Sequence, residues 1–321
     1  MLSVCMIVRN EEKELVSFLK NVGPHVDEII AVDTGSKDRS RRILSKHPKV
    51  KLLHFRWVDD FAAARNFSLE AATGDWILVM DADERIEEPK LISKLLEGDD
   101  VDAYNVCIRN LQPKGSLTRY ELSYLPRLFR NKGYRYEGMV HEQISPSIHA
   151  KDGRRVTTNW TIVHHGYMND VVQGKESRQK RNIALIRRQL QETPDDFYYL
   201  FHLGLAYKNF NEAQSEHYFL KSLSKGAAEM PPHLKEQVFM RLAQLKLGAA
   251  DHQNTIVYAQ KSLEIAPNNI ISRVCLITAL CSVKGFVQAN PHLAWVIEHH
   301  LDVVPNPDDF IQLYKAIQSL I

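Results

Sequence analysis

Read for apolar and polar positions, the first hundred residues alternate between two patterns. "LSVCMIV" (2–8) is a short continuous apolar run, as in a strand covered on both faces. "EEKELVSFLKNV" follows with helical spacing, so that Leu15, Phe18, Leu19 and Val22 share a face. "DEIIAVDTGS" predicts a second strand ending in a polar turn, with Ser36 and Asp38 as candidate caps for the helix "RSRRILSKH". "VKLLHFRW" predicts a third strand, "DFAAARNFSLEAA" a helix closed at Thr73-Gly74, and "DWILVMDAD" a fourth strand. Strand and helix in alternation imply parallel pairing with helices on both faces. Ligands of such sheets bind beyond the carboxyl ends of the strands, where Asp33 and Asp81 both stand.

After residue 100 the pattern changes. "AYNVCIRN", "YLPRLFRN" and "NWTIVHHGY" read as strands with no helix of comparable length between them, which predicts a mixed sheet over 101–165. From about 175 onwards the chain reads as almost all helix. Residues 197–225 and 236–267 align on a degenerate helix-turn-helix repeat. Leu203-Gly204 and Tyr207, with Leu220 and Leu223, mark the first unit; Leu242-Ala243, Ala259, Ser262 and Pro267 mark the second. A weaker third unit spans 270–305. The period and the small residues are those of a tetratricopeptide array. The expected organisation is an α/β domain over 1–170, a basic linker helix over 171–195 and helical repeats over 196–321. In the linker, Lys175, Arg178, Lys180, Arg181, Arg187 and Arg188 oppose a stripe of Ile183, Ile186 and Leu190, which predicts a solvated basic face. Lys175 and Arg178 follow His164 closely enough to be candidates for a diphosphate contact.

Composition changes this picture little. The 321 residues are 44% hydrophobic and 25% charged, with a formal net charge of +2, which gives no argument for a nucleic-acid partner. Four cysteines show no CxxC spacing, and Cys5 and Cys107 lie in apolar runs, so they read as buried thiols of a reducing compartment. No apolar stretch approaches the roughly 20 residues of a membrane span. "MLSVCMIVRNEE" lacks a basic region and a small-residue cleavage site, so it reads as a first strand rather than a signal peptide. A cytoplasmic location is expected.

The chemistry concentrates in "VMDADERI" (79–86), where Asp81, Asp83 and Glu84 end an apolar run. Like charges so close repel. They are either solvated turn acids or ligands of a divalent cation, which would turn the repulsion into a site. Alternation along a strand would point Asp81 and Asp83 to one face, two hard oxygen donors suited to Mg²⁺ or Mn²⁺.

Together, "SVCMIVRNEE", "VDEIIAVDTGSKDRS", "FAAARNFSLEAATGDWILVMDADERI", "PRLFRN", "RYEGMVHEQI" and "VHHGY" resemble family 2 glycosyltransferases of the GT-A fold. The likeness is to the bacterial subgroup with a C-terminal tetratricopeptide region, which includes enzymes that glycosylate peptide cysteines in bacteriocins. It implies a Rossmann-like mixed sheet followed by an all-α repeat domain. It also implies transfer of a hexose or N-acetylhexosamine from a UDP-sugar, with inversion and with Mn²⁺ or Mg²⁺. By the resemblance, Asp33 accepts from the uracil imide, Val8 and Asn10 line the base pocket, Asp81 reaches the ribose and Asp83 takes the metal. Arg65 is expected to pair with Asp33, to touch the nucleotide, or to make an ion pair of purely structural role. His164 of "VHHGY" is implied as a further metal or diphosphate contact, with His165 as the other possibility. The base is expected in "RYEGMVHEQI": Glu142 first, Glu137 in reserve, with an ion pair to Arg127 or Arg130 as the alternative role for either.

Other classes fit less well. A nucleotidyltransferase wants a Gly-rich loop after strand one, and "VRNEE" has none. A polyprenyl-phosphate transferase fits poorly without a membrane segment. A tetratricopeptide scaffold with a silent transferase domain is the main alternative, opposed by the intact Asp33, Asp81, Asp83 and His164. The acceptor is open, a peptide or protein side chain being one option, and the repeats are equally suited to homodimerisation.

Overall fold

The computed structural model describes residues 1–113, 116–165, 172–208 and 211–320, without the side chains of 172–178. Two compact units emerge. One comprises Met1–Gln112 and Tyr120–Val171, the other Pro113–Arg119 and Val172–Ile321.

The first unit is a sheet with helices on both faces. Its elements are β1 (Leu2–Val8), α1 (Glu12–Val22), β2 (Glu28–Asp33), α2 (Ser40–Leu44), β3 (Val50–His54), α3 (Phe61–Glu70), β4 (Trp76–Val79), β5 (Glu84–Ile86), α4 (Ile92–Leu96), β6 (Ala103–Leu111), β7 (Tyr120–Arg130), α5 (Ser145–His149) and β8 (Arg155–His164). The strands run in the order β3-β2-β1-β4-β7-β6-β8-β5. β3, β2, β1 and β4 are parallel, as the alternation predicts. β7 then joins β4 antiparallel, and the later strands complete the mixed sheet. Side-chain alternation splits the core. Val4, Met6, Ile29 and Ala31 pack with Leu15, Phe18, Leu19 and Val22 of α1, while Cys5 and Ile30 pack with Ala62 and Leu69 of α3 on the other face. The Cys5 thiol is pushed up to about 12 by burial, so it behaves as a small apolar residue.

The second unit is helical: α6 (Val172–Glu192), α7 (Phe197–Tyr207), α8 (Glu212–Lys225), α9 (Pro232–Gly248), α10 (His252–Ile265), α11 (Ile270–Ser282), α12 (Phe286–His299) and α13 (Pro307–Gln318). Four helices start on an acid or amide whose side chain accepts an N–H of the first turn: Asp196, Asn211, Asp251 and Asn269. Leu203, Gly204 and Tyr207 are buried as the repeat pattern requires. A Cβ on Gly204 would lie 2.6 Å from the Phe219 ring, so only glycine admits this helix contact. The second helix of that unit differs from expectation. Phe219 and Ser222 face inward, while Leu220 is exposed. A shift of one residue turns a helical position by about 100°. In α6, Ile183 and Ile186 are buried and Arg187 and Arg188 exposed; Lys175 and Arg178 lie outside the described side chains. Segment 113–119 joins this unit through Arg119 N–H, which donates to Val303 O at 2.7 Å.

Candidate active site

The site lies at the carboxyl ends of β1, β2 and β4. Val8 and Asp33 are paired partners at the ends of neighbouring strands. Val8 O accepts both the N–H and the hydroxyl of Thr34. Asn10 takes a left-handed φ of 60°, and its side chain accepts Lys37 N–H at 2.7 Å. The two loops after β1 and β2 are thus stitched together. Asp33 is buried, and its oxygens accept the N–H groups of Gly35 and Ser36. His54 Nδ1 lies 3.3 Å and Arg41 Nε 3.9 Å from the same carboxylate. Asp38 caps two chain segments, accepting from Glu12 N–H and Ser40 N–H.

The strand predicted through "DAD" stops at Val79, and Asp81–Asp83 form a turn. The cause is Glu84. Its carboxylate accepts Asp81 N–H at 2.8 Å, while Glu84 N–H donates to Asp81 O at 3.1 Å. Glu84 is itself buried against Arg127 Nη2 at 3.0 Å. Burial raises its carboxyl above the ordinary value despite that arginine. The three acids therefore do not share one environment. Arg65 Nη2 donates to Asp81 Oδ1 at 2.8 Å, and Arg127 lies 3.6 Å from Oδ2. Burial opposes ionisation of Asp81, but these two guanidinium groups hold its carboxyl well below the usual range.

Asp83 turns the other way, toward β8. Its Oδ2 lies 3.2 Å from His164 Nε2. His164 Nδ1 lies 3.0 Å from Asn110 Oδ1, and the Asn110 amide group is spent on Ile108 O, Glu121 O and Ser123 Oγ. Both ring nitrogens therefore face an oxygen acceptor, which favours the doubly protonated ring, and the Asn110 contact to Nδ1 is of the second-layer kind that orients metal-binding histidines. Burial would lower the imidazole's pKa, but Asp83 outweighs it and raises it. His165 enters the turn through its backbone, its N–H donating to Asp83 O at 3.0 Å. Among the described residues no three His, Cys, Asp or Glu side chains form a ready-made cation cage. The Asp83 carboxylate and the His164 imidazole offer one oxygen and one nitrogen donor to a divalent cation.

The loop 137–143 closes against α3. Glu137 and Gln143 exchange backbone hydrogen bonds at 2.9 Å each. Gly138 and His141 take left-handed φ values of 97° and 53°. Phe61 N–H donates to Met139 O, and the Asn66 side chain pairs with both backbone groups of Tyr136. Glu142 is largely buried and accepts Arg65 Nε at 2.9 Å; its Oε2 has no partner among the described residues. Glu137 is exposed. Two expectations are therefore corrected. Arg65 pairs with Asp81 and Glu142, not with Asp33, and the partner of Glu142 is Arg65, not Arg127 or Arg130. Arg127 is committed to Glu84, and Arg130 lies over the Trp76 ring at 4.3 Å and donates to Gly98 O at 2.8 Å. Sequence reading missed the structural roles of Asn110 and Arg127. The signal for Asn110 is its register opposite His164, legible only once β6 and β8 are paired.

Residues 3–159 match the family described as Glycosyl transferase family 2. A TPR repeat-containing protein of Synechococcus elongatus is 34% identical over 82% of this chain and 66% of its own length. The SPbeta prophage-derived glycosyltransferase SunS of Bacillus subtilis is 29% identical over 62% of this chain and 47% of its own. The chain thus spans about two thirds and about half the length of these relatives. Among solved structures, the mannosyltransferase PcManGT from Pyrobaculum calidifontis is 16% identical over 87% of this chain and 86% of that one, at a TM-score of 0.44. Residues 3–159 of this chain are a glycosyl transferase family 2 domain.

Proposed function

We propose that the protein is an inverting, cation-dependent glycosyltransferase. It takes a hexose or N-acetylhexosamine from a UDP-sugar and places it on a peptide or protein side chain. The observation that carries this is the buried cluster at the strand ends, where one guanidinium joins Asp81 to Glu142. Asp33, with Val8 and Asn10 beside it, receives the uracil. Asp83 and His164 would hold the cation, and Asp81 the ribose. Mn²⁺ or Mg²⁺ bound there would neutralise the diphosphate as it departs. Glu142 Oε2 accepts the acceptor's proton while the acceptor heteroatom bonds to the sugar's anomeric carbon; the bond to the diphosphate oxygen breaks and UDP leaves with the electron pair. Arg65 Nε holds the Glu142 carboxylate through Oε1 and so fixes its orientation. A weak base of this kind suits a thiol acceptor, which already ionises in part near neutral pH.

The test is calorimetry of UDP with Mn²⁺, with and without chelator, on the parent protein and Asp83→Asn. Asp83 is half-buried, and asparagine keeps its size and an accepting oxygen, so the variant is expected to fold and to lose the metal-supported part of UDP binding. Unchanged Mn²⁺-dependent affinity would remove Asp83 from the metal site.

A further inference from the structure

Arg65 is the buried group on which the site converges. It makes two strong contacts to parts of the chain 16 and 77 residues away. Asp81 belongs to the turn assigned to the donor, and Glu142 to the loop assigned to the acceptor. On α3, Phe61 N–H donates to Met139 O in loop 137–143 and Asn66 pairs with the backbone of Tyr136 just before it, while Arg65 reaches both Glu142 of the loop and Asp81 of the donor turn. Its Nη1 is buried with no hydrogen-bond partner among the described residues. A buried donor left open is costly, and here it sits on a fork whose other arms are already fixed.

We propose that Arg65 is a positioning residue that couples donor capture to the acceptor loop. It ties Glu142 to the Asp81 turn, and its open Nη1 takes an oxygen of the bound UDP-sugar, so that filling the donor site stiffens loop 137–143 and sets the base. The inference rests on the donor and base roles proposed above. Lysine cannot replace Arg65 in this task, because a single ammonium does not present a planar fork to two carboxylates.

Three measurements test it on the full chain: hydrogen exchange of loop 137–143 with and without UDP-glucose and UDP-N-acetylglucosamine, donor affinity by calorimetry, and single-turnover transfer. Arg65→Lys keeps the buried charge. It is expected to speed exchange in the loop by about tenfold to a hundredfold, the loss of one charge-assisted hydrogen bond. UDP-sugar is expected to slow loop exchange in the parent and not in Arg65→Lys. Transfer falls further than donor affinity. In the double variant Arg65→Lys/Glu142→Gln, transfer is expected to be no slower than in Glu142→Gln alone, because both changes break one device. Should Arg65→Lys not fold, Glu142→Gln reads the same tie from its other end and must loosen the loop as well. Loop exchange unaltered in both variants, or rate losses that multiply in the double variant, would overturn the coupling. A parent protein that binds no UDP-sugar would sink the functional reading instead, while the exchange of the empty loop still decides whether Arg65 holds it.

Discussion

The two units bury polar groups in opposite ways. In the helical unit the buried polar residues are mostly small hydroxyls satisfied close by. Ser215 donates to Gly204 O and Ser222 to Phe197 O, each at 2.7 Å, and Thr255 to Asp251 O at 2.8 Å. Such contacts cost little and repeat along the array. In the sheet unit, Arg65, Glu84 and Arg127 bury full charges, and their partners come from distant segments. Replacing a buried ion pair by apolar residues is often stabilising, so stability is a poor reason to keep these charges at one edge of a sheet. Left-handed non-glycine residues occur in both units, at Asn10 and His141 near this edge and at Ala250 and Lys284 in the helical unit, so they do not separate the two. Buried charge is what marks the region where geometry is held for chemistry. The helical unit instead shows the economy of a scaffold.

The contrast is sharpest in a pair of glutamate variants. Glu142→Gln keeps size and shape and removes the proton acceptor. Transfer in single turnover is expected to fall by a factor on the order of 10² to 10⁴, with donor affinity retained. Glu137→Gln, on an exposed carboxylate, is expected to change little. If only Glu137→Gln slows transfer the base assignment swaps, and if neither does the base lies outside loop 137–143. A cysteine acceptor would shrink the loss, since part of the thiol is already ionised. The helical unit breaks differently. Gly204→Val drives a side chain into Phe219, and a cost of about 1–3 kcal/mol is expected in denaturant titrations. Calorimetric UDP affinity of the folded variant is expected to match the parent's; a large drop would tie the repeats to donor binding and weaken the division of labour.

How much of this was legible follows from the range of the interactions. β1 to β4 were readable because each is an apolar run bounded by turn residues, and parallel order follows from the helices between them. The end of β4 was overrun because Met80 prolongs the apolar run; what stops the strand is a hydrogen bond from Asp81 N–H to Glu84. The start of β7 was missed because Tyr120–Ser123 mixes polar and apolar residues and lacks a strand's contrast. Leu220 marks the repeat in sequence because a leucine fits the pattern as well as Phe219 does, and only packing against Gly204 chooses which of the two faces inward. In the site, the residue types were legible from motif and chemistry. Their partners were not, since nothing local to "AARNF" says that its arginine meets carboxylates 16 and 77 residues on.

A smaller effect is expected at the uracil end. Asp33→Asn keeps an oxygen for the Gly35 and Ser36 N–H groups and so spares the turn. If Asp33 accepts from the base, UDP affinity drops by about 1–3 kcal/mol, while GDP and CDP lose less. Equal weakening of all three nucleotides would argue against base recognition.

The smallest expected effect tests the helical unit's exception, the buried acid Glu236 on α9. Its Oε1 accepts from Ser262 Oγ and Asn269 Nδ2, each at 2.7 Å. Burial pushes its carboxyl above the ordinary value, against the pull of those hydrogen bonds and of Arg241. A folded-state value above the unfolded one means that this group stabilises fully below the unfolded value, and that the contribution fades as pH rises through the folded value. Glu236→Gln keeps the accepting oxygen and removes the charge. At pH 7 the variant is expected to gain up to about 1 kcal/mol, and the gain should shrink as pH falls from the folded value of Glu236 toward about 4.3, the ordinary one. Thermal melts of both proteins from pH 4 to 7 decide it. A difference constant across that window would mean that Glu236 does not titrate with folding, and that the helical unit, like the sheet unit, keeps a buried charge.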